Sequence, residues 1–272
     1  NYKKILVDYH QGIEEGRITE EYIEEMRTLL DPIMFGILYL CQYPPADMVD
    51  EQGWMSLLLE EDIAAAEQRT VQSIGPKKLG VDISEGINYN AFVIRTNNVA
   101  RVLKKTLEKN LMKTAEEIAN IRKEEHIESH NIFADAIGVG AGVVSRLNEL
   151  KIFINGVKVG EKPTETREKQ LIEFYNLRAE LYWNLKQWIL QGGSLEPHKD
   201  WMQLTKVRYK EDVGRRIKIM PKEEMRLKGL IQATESPDIA DALALTFAPN
   251  KIINYGIKAS SPVLPYYPEL GL

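Results

Sequence analysis

The sequence has a single cysteine, Cys41, among its 272 residues. One cysteine cannot close an internal disulfide, and it excludes zinc sites that use several cysteines. We therefore expect a reducing compartment, the cytoplasm. The four histidines show no metal-ligand spacing, and we expect them to be ordinary surface or core residues: His10, His126, His130 and His198.

Long apolar runs are also missing. The longest candidate, residues 33–41, reaches about half the length that a membrane-spanning helix needs. The sequence does not open with a basic and then apolar leader, so secretion is not expected. Its first residue is Asn1 rather than Met, and we expect the chain to be a piece of a longer protein.

A third absence concerns nucleotide binding. The sequence contains no G-x-x-x-x-G-K-S/T phosphate loop. In P-loop ATPases the backbone amides of that motif cradle the phosphates. We therefore expect no ATP-driven motor activity from this chain.

The composition that is present is typical of a globular protein, with 44% apolar and 28% charged residues and a net charge of −5. That net charge excludes a bulk polycation that coats nucleic acid. The charge is uneven, because residues 206–228 hold nine basic and four acidic side chains. Such a stretch is suited to binding phosphates, although a solvated surface with scattered ion pairs is the commoner outcome.

Hydrophobic patterning divides the chain into three parts. We expect residues 1–75 to be a helical linker or the tail of a missing ATPase domain, with one helix capped by Thr19 and another over 58–69. Residues 76–259 are expected to form one α/β domain. Residues 260–272 carry three prolines and are expected to be an extended tail.

Within residues 76–259 the periodicity predicts a layered α/β fold with a mixed sheet. Three strands of a meander are expected at 79–83, 91–96 and 100–107, followed by a helix at 114–126 and a strand at 131–137. The remaining predicted elements are helices at 138–150 and 165–190, a basic strand at 215–220, a short helix at 222–228, and a helix at 237–247 capped by Ser236. Residues 153–159 alternate around Asn155-Gly156, which favours a β-hairpin.

Four aspartates lie where an acid is locally unfavourable. Asp82 ends an apolar strand and Asp135 lies inside another. Asp238 and Asp241 are three residues apart, on one face of an apolar helix. An ionised carboxylate among apolar residues must be paired or bound to a metal. Carboxylate clusters suit hard cations such as Mg²⁺ or Mn²⁺.

Each aspartate also has an ordinary structural explanation. An Asp at a strand end is more often a turn residue than a ligand. Asp238 lies in an early turn of its helix, where the macrodipole favours acids. Asp135 has the fewest such explanations, because apolar residues flank it on both sides. Asp241 is the stronger of the two helical candidates, since its neighbours Ala240 and Ala242 are small enough to let a cation and DNA approach.

Three segments resemble the acidic motifs of the nuclease domain of tailed-phage terminase large subunits: GVDIS at 80–84, FADAIGVGAG at 133–142 and SPDIADAL at 236–243. Residues 174–183 resemble the long helix of that domain, and residues 220–226 resemble the basic approach to its last motif. The resemblance covers roughly residues 76–250, in order. It implies a ribonuclease H-like fold and an endonuclease that cuts concatemeric double-stranded viral DNA at the start and end of packaging. It also implies the portal and the small terminase subunit as partners, in the cytoplasm of an infected host.

The resemblance and the ligand types together imply a two-metal mechanism, with Mg²⁺ or Mn²⁺ activating water and stabilising the leaving 3′ oxygen. We expect Asp82 to bridge the two metals, Asp135 to complete one site and Asp241 the other. Asp238 is then an alternate or outer ligand. Contacts to the DNA backbone, independent of base sequence, are expected from Lys222, Arg226, Arg215 and Arg216.

Two other functions remain open. An actin-like ATPase would use Gly138-Val139-Gly140-Ala141-Gly142 as a phosphate-binding turn before a helix. The same glycines could instead only permit a tight turn beside Asp135. A non-catalytic module that binds DNA or assembles a motor would not need four intact acids.

Overall fold

The computed structural model describes residues 6–30, 32–42, 49–84, 86, 88–164 and 172–251. The chain divides into two compact units, Asn1–Met55 and Ser56–Leu272. This boundary falls earlier than residue 75, because the segment after Ser56 packs within the second unit. Arg69, for example, donates from Nη1 to the carbonyl oxygens of Ile189 and Gly193 at 2.7 and 2.5 Å. The expected tail at 260–272 lies outside the described residues.

The described residues of the first unit form three helices, α1 (Tyr9–Glu14), α2 (Glu20–Leu29) and α3 (Pro32–Tyr39). The predicted cap of α2 is confirmed, since Thr19 Oγ1 accepts a hydrogen bond from the Tyr22 amide at 3.2 Å. A new helix begins at Pro32, where the fixed φ of proline suits the first helical position. Neither α1 nor α3 was predicted. Among the described residues, no helix in either unit is both long and apolar enough to span a bilayer.

The second unit is an α/β structure. After β1 (Met55–Ser56), at the boundary of the units, its helices are α4 (Glu60–Gln68), α5 (Leu111–Glu124), α6 (Gly140–Glu149), α7 (Leu177–Leu190), α8 (Lys222–Leu227) and α9 (Asp238–Leu245). Its strands are β2 (Lys78–Asp82), β3 (Asn90–Arg95), β4 (Val99–Thr106), β5 (Ile132–Asp135), β6 (Asn155–Val157), β7 (Glu173–Phe174), β8 (Ser194–Leu195), β9 (Arg208–Glu211) and β10 (Arg216–Ile219). Short 3₁₀ helices span Ser129–Asn131 and Lys199–Lys206.

The main sheet has six strands in the order β6-β5-β2-β3-β4-β8. Its centre is the predicted antiparallel meander β2-β3-β4. Strands β5 and β6 continue the sheet parallel to β2, and β8 runs parallel to β4. The mixed sheet predicted from the sequence is therefore confirmed. Strands β9, β10 and β7 lie side by side in a second sheet.

Strand alternation gives the two faces of the main sheet different partners. Leu79 and Val81 of β2 pack in an apolar core with α5 and α6. Gly80 and Asp82 alternate with them and face the other side, where α9 crosses β2. A Cβ on Gly80 would lie only 1.9 Å from the carbonyl oxygen of Ala242 in α9. Only glycine allows this close approach of helix to strand.

The C-terminal end of α9 is fixed by a buried arginine of β3. Arg95 donates from Nε to Thr246 Oγ1 at 2.7 Å and from Nη2 to the Thr246 carbonyl at 2.9 Å. Its guanidinium lies 3.9 Å from the ring centroid of Phe247. Burial lowers the pKa of Arg95 to about 10. A buried cation thus satisfies a carbonyl at the helix end, where positive charge is favourable.

The predicted helix over 165–190 is wrong at its start. Residues 165–171 lie outside the described residues, but Glu173–Phe174 is strand β7, paired with β10. Helix α7 begins only after Asn176, whose Oδ1 accepts from the Ala179 amide at 3.0 Å. Exposed Tyr175 is therefore not on the helix that carries buried Trp183.

The predicted hairpin around Asn155-Gly156 is also wrong, because these residues belong to the single parallel strand β6. The Asn155 side chain ties neighbouring segments together: Nδ2 donates to the His130 carbonyl at 2.7 Å, and Oδ1 accepts from the Lys251 amide at 2.9 Å.

The predicted cap of α9 by Ser236 is wrong too. Pro237 occupies the N-cap position. The distant Gln203 Oε1 accepts from the Ile239 amide at 2.9 Å. A side chain from another segment therefore satisfies a free amide of the first helical turn.

Candidate active site

The four predicted aspartates meet at one edge of the main sheet. Asp82 and Asp135 end the adjacent parallel strands β2 and β5, in which Val81 lies opposite Ala134. Helix α9 brings Asp238 and Asp241 to the same edge, since Gly80 holds it against β2. A cavity of about 60 Å³ is lined by Asp82, Asp135 and Asp241. Asp238 lines a neighbouring cavity.

Asp241 has the densest set of partners. Lys222 Nζ lies 2.7 Å from its Oδ2, and the buried Tyr182 hydroxyl donates to its Oδ1 at 2.6 Å. Arg178 Nη2 lies 3.7 Å from Oδ1, while Nη1 donates to the Met220 carbonyl at 2.9 Å. Arg178 and Tyr182 are four residues apart on α7, so they reach the carboxylate from one helix face. Neither residue was predicted from the sequence to belong to the site.

The electrostatics of the cavity follow from burial and these partners. Burial acts to raise the pKa of Asp241, but Lys222 and Arg178 outweigh it and hold that pKa below its ordinary value. Asp82 is 8% exposed, and burial raises its pKa well above the ordinary value, although the positive charge of Lys222 acts to lower it. Nearby carboxylates, Asp241 first among them, raise it further. Asp82 is therefore the acid that most lacks compensating positive charge.

The other two acids each accept one backbone amide. Asp135 Oδ1 accepts from the Ile137 amide at 2.9 Å, and Asp238 Oδ2 accepts from the Tyr89 amide at 3.2 Å. Burial raises the pKa of both aspartates. Asp238 is 3% exposed, and its Oδ1 has no hydrogen-bond partner among the described residues. A buried carboxylate oxygen without a donor is unfavourable unless a cation or water supplies one.

The donor set fits hard divalent cations. It consists of carboxylate oxygens, the ligands that Mg²⁺ and Mn²⁺ prefer, beside a cavity with room for water. Among the described residues, no three acidic, imidazole or thiol side chains converge closely enough to form a ready-made metal cage. Water and substrate oxygens would therefore complete the coordination, as is usual for Mg²⁺ in proteins.

The glycine-rich segment after β5 has a structural explanation. Gly138 has a φ of +58°, a backbone conformation that residues with a side chain rarely adopt. A Cβ on Gly140 would lie 1.9 Å from the carbonyl oxygen of Asp135. These glycines let α6 begin directly against the strand end that carries the acid. This packing requires the glycines whether or not a phosphate binds.

The four basic residues expected to contact DNA lie in different places. Lys222 lines the acidic cavity and pairs with Asp241. Arg226 Nη2 donates to the Glu235 carbonyl at 3.1 Å, and Arg216 Nη2 lies 2.6 Å from Asp212 Oδ2. Arg215 is exposed, in the turn between β9 and β10. The cavity and the β9–β10 turn are therefore separate locations for the predicted contacts.

Comparison with protein-family models and with curated proteins gave no match. Solved structures do match. The nuclease domain of the large terminase subunit gp2 of bacterial virus Sf6 is 22% identical, with a TM-score of 0.61, over 72% of this chain and 100% of that one. A lysine-to-alanine mutant of that domain, with manganese and beta-thujaplicinol, has a TM-score of 0.60 at the same identity and coverage. The large terminase nuclease of thermophilic phage G20c is more distant, at 13% identity and a TM-score of 0.45, over 66% of this chain and 90% of that one.

The match to the Sf6 domain confirms the predicted fold class. It spans the whole of that domain and 72% of this chain. The resemblance stated from the three acidic segments thus extends to the three-dimensional structure. The chain has the ribonuclease H-like fold of a phage large-terminase nuclease domain.

Proposed function

We propose that this chain is a divalent-metal-dependent endonuclease that cuts double-stranded viral DNA during genome packaging. The main support is the cavity that brings together Asp82, Asp135 and Asp241 at the carboxyl ends of β2 and β5 and on α9. The fold match supports the same function, since the Sf6 domain is a nuclease and its mutant was solved with manganese.

Asp82, Asp135 and Asp241 would hold two Mg²⁺ or Mn²⁺ ions, with Asp82 shared between them. When bound, the ions supply Lewis-acid activation of water and of the leaving 3′ oxygen. Asp241 is preferred to Asp238 because it lines the same cavity as the two strand acids. Asp238, which lines the adjacent cavity, is proposed as an outer or alternate ligand.

The protein's own groups orient the reaction. Tyr182 and Arg178 fix the Asp241 carboxylate from one side, so that its free lone pairs have a defined direction. The Lys222 ammonium lies beside that carboxylate and is placed to stabilise negative charge on a phosphate in the cavity. Leu181, Ala244 and Leu245 form an apolar wall, which limits bulk water at the reacting bond.

The test is a plasmid-nicking assay with Mg²⁺, Mn²⁺, Ca²⁺ or excess chelator. We expect cleavage with Mg²⁺ and Mn²⁺, little with Ca²⁺ because of its looser geometry, and none with chelator. Asp82→Asn, Asp135→Asn and Asp241→Asn should each reduce nicking by at least about 100-fold, and Asp238→Asn by less.

The matched control is Glu149→Gln, which removes an acid that pairs with Arg146 on the exposed surface of α6, outside both cavities. It should leave nicking within about twofold of the wild type, since a surface ion pair contributes little. Cleavage that persists in excess chelator would contradict the proposal. DNA binding without cleavage under every metal condition would favour a non-catalytic packaging module.

The remaining parts of the proposal rest on the resemblance. We propose the portal and the small terminase subunit as partners, in the cytoplasm of an infected host cell. The first unit, Asn1–Met55, would connect the nuclease to an ATPase domain. Co-purification of the longer protein with each partner tests these associations directly.

A further inference from the structure

A second cavity, of about 240 Å³, borders the acidic one. Its walls come from the loop before β3, from β4, from the 3₁₀ helix Lys199–Lys206 and from the segment before α9. Asp238 lines it, and the Asp238 carboxylate is held by the amide of Tyr89, which lines it too. The two cavities are therefore neighbours across the first turn of α9. We call this second cavity the lysine cleft.

Three lysines line the cleft: Lys105, Lys199 and Lys206. Lys105 Nζ lies 3.2 Å from Asp200 Oδ2 and 4.4 Å from the ring centroid of Tyr89, so its ammonium is fixed at the wall. The other two come from one short helix. Lys206 Nζ lies 3.6 Å from Glu235 Oε2, whereas exposed Lys199 has no ion-pair partner among the described residues.

The charge balance of the cleft differs from that of the acidic cavity. Asp82, Asp135 and Asp241 outnumber the two cations Lys222 and Arg178 in the acidic cavity. In the cleft, three ammonium groups balance three carboxylates, those of Asp200, Glu235 and Asp238, and Lys199 is the ammonium without an ion-pair partner among the described residues. A DNA strand whose scissile phosphate lies at the acids needs cations for its neighbouring phosphates.

We propose that the lysine cleft binds the phosphate backbone of the DNA strand next to the scissile phosphodiester. This inference rests on the proposed nuclease function and adds a subsite to it. Lys199 and Lys206 would contact phosphates directly, since one is unpaired and the other has only a loose, exposed ion pair. Lys105, half-buried and paired, would hold the wall of the cleft.

The test measures binding rather than cleavage. Fluorescence anisotropy gives the Kd for binding of a 20-base-pair DNA duplex to the double variant Lys199→Gln/Lys206→Gln. The titrations are run in chelator at salt concentrations between 50 and 200 mM. Each phosphate contact releases ~0.9 counterions from the DNA, so the number of contacts sets the salt dependence of Kd. Loss of two contacts should make the salt dependence shallower by about 1.8 in log Kd per log salt concentration. The corresponding loss of affinity is roughly 60-fold at 0.1 M salt.

Lys104→Gln is the matched control. Lys104 precedes Lys105 on β4, and alternation directs it to the opposite face of the sheet, where it pairs with Glu117. This variant removes one lysine charge without altering the cleft, so its Kd should stay within about threefold of the wild type. The double variant Lys199→Arg/Lys206→Arg keeps both charges and should also bind like the wild type.

Three results would overturn the proposal. The first is a wild-type protein that does not bind the duplex at 50 mM salt. The others are a Lys199→Gln/Lys206→Gln variant that binds as tightly as Lys104→Gln, or a Lys199→Arg/Lys206→Arg variant that binds as weakly as the glutamine variant. Circular dichroism confirms that each variant is folded. Failure of this subsite is distinguishable from failure of the nuclease proposal. Lysine-dependent binding without metal-dependent nicking would support the cleft alone, and nicking with unchanged binding would support the nuclease alone.

Discussion

Replacement of Gly80 by alanine should separate the proposed metal-binding acids without changing any of them. The new Cβ would lie 1.9 Å from the Ala242 carbonyl oxygen, whereas real Cβ atoms essentially never come within 3.0 Å of such an atom. The obstacle is helix backbone, which cannot rotate away as a side chain can. Helix α9 must therefore move from β2 by about 1.1 Å, the difference between 3.0 and 1.9 Å.

The expected effect on activity exceeds the effect on stability. Overpacking of this kind lowers the unfolding free energy by about 1–3 kcal/mol. Each kcal/mol lost lowers Tm by roughly 2–4 °C in a protein of this size. Catalytic groups tolerate a displacement of only about 0.5 Å, and a misplacement of about 1 Å can reduce the rate 100-fold. Asp241 moves with α9 while Asp82 stays on β2, so Gly80→Ala should nick DNA about 100-fold more slowly at a temperature where it is fully folded.

The assay compares nicking rates with Mn²⁺ at 25 °C and Tm values from circular dichroism. Gly142→Ala is the control, since its Cβ would lie 3.4 Å from Leu111 Cδ1, an ordinary contact. In the first turn of α6 this change should stabilise the protein by up to about 1 kcal/mol and leave nicking unchanged. A Gly80→Ala variant with wild-type rate and Tm would refute the argument that α9 is held against β2 by this glycine.

Four further predictions concern the side chains around α9. Without metal, Asp82→Asn should raise Tm at pH 7. Burial raises the pKa of Asp82, so the wild-type protein loses stability as pH rises and this carboxyl group ionises. The difference in Tm between the variant and the wild type should therefore shrink as pH falls toward the ordinary carboxyl range. Asp241→Asn should instead lower Tm at pH 7. The pKa of Asp241 is held low, so the stabilising negative charge is fully present at any pH above the ordinary carboxyl pKa. Equal Tm shifts in the two variants would contradict these directions. Tyr182→Phe should weaken Mn²⁺ binding about 10-fold in calorimetry, since Asp241 loses a 2.6 Å hydrogen bond, and unchanged affinity would exclude this positioning role. Arg95→Met should lower the unfolding free energy by roughly 3 kcal/mol in urea, because the Thr246 carbonyl and hydroxyl lose their buried donor; a loss below about 1 kcal/mol would show that water replaces it.

The acids could be found from the sequence because they contradict their local surroundings. Asp135 interrupts an apolar strand, and Asp82 ends one, so adjacent residues were enough to predict that both are buried and to propose them as metal ligands. The meander was equally readable, since its strands pair with their neighbours along the chain. Local patterns sufficed wherever the contacts that fix an element are local.

The rest depended on contacts between distant segments. Tyr182 and Arg178 lie on a largely apolar helix, where they look like core and surface residues, and only the fold brings Asp241 to them. Asn155-Gly156 has the composition of a turn, but its side chain is used to tie His130 and Lys251 together. Strand β7 has two residues and exists because β10 pairs with it. A strand of two residues is too short to be predicted from the periodicity of the local sequence.

The two outer strands of the main sheet have a consequence for crowded conditions. β6 and β8 close the sheet on either side and contain three and two residues. A second copy that approached either side would find too few free amide and carbonyl groups to extend the sheet. The main sheet is therefore poorly suited to edge-to-edge pairing between copies at high protein concentration.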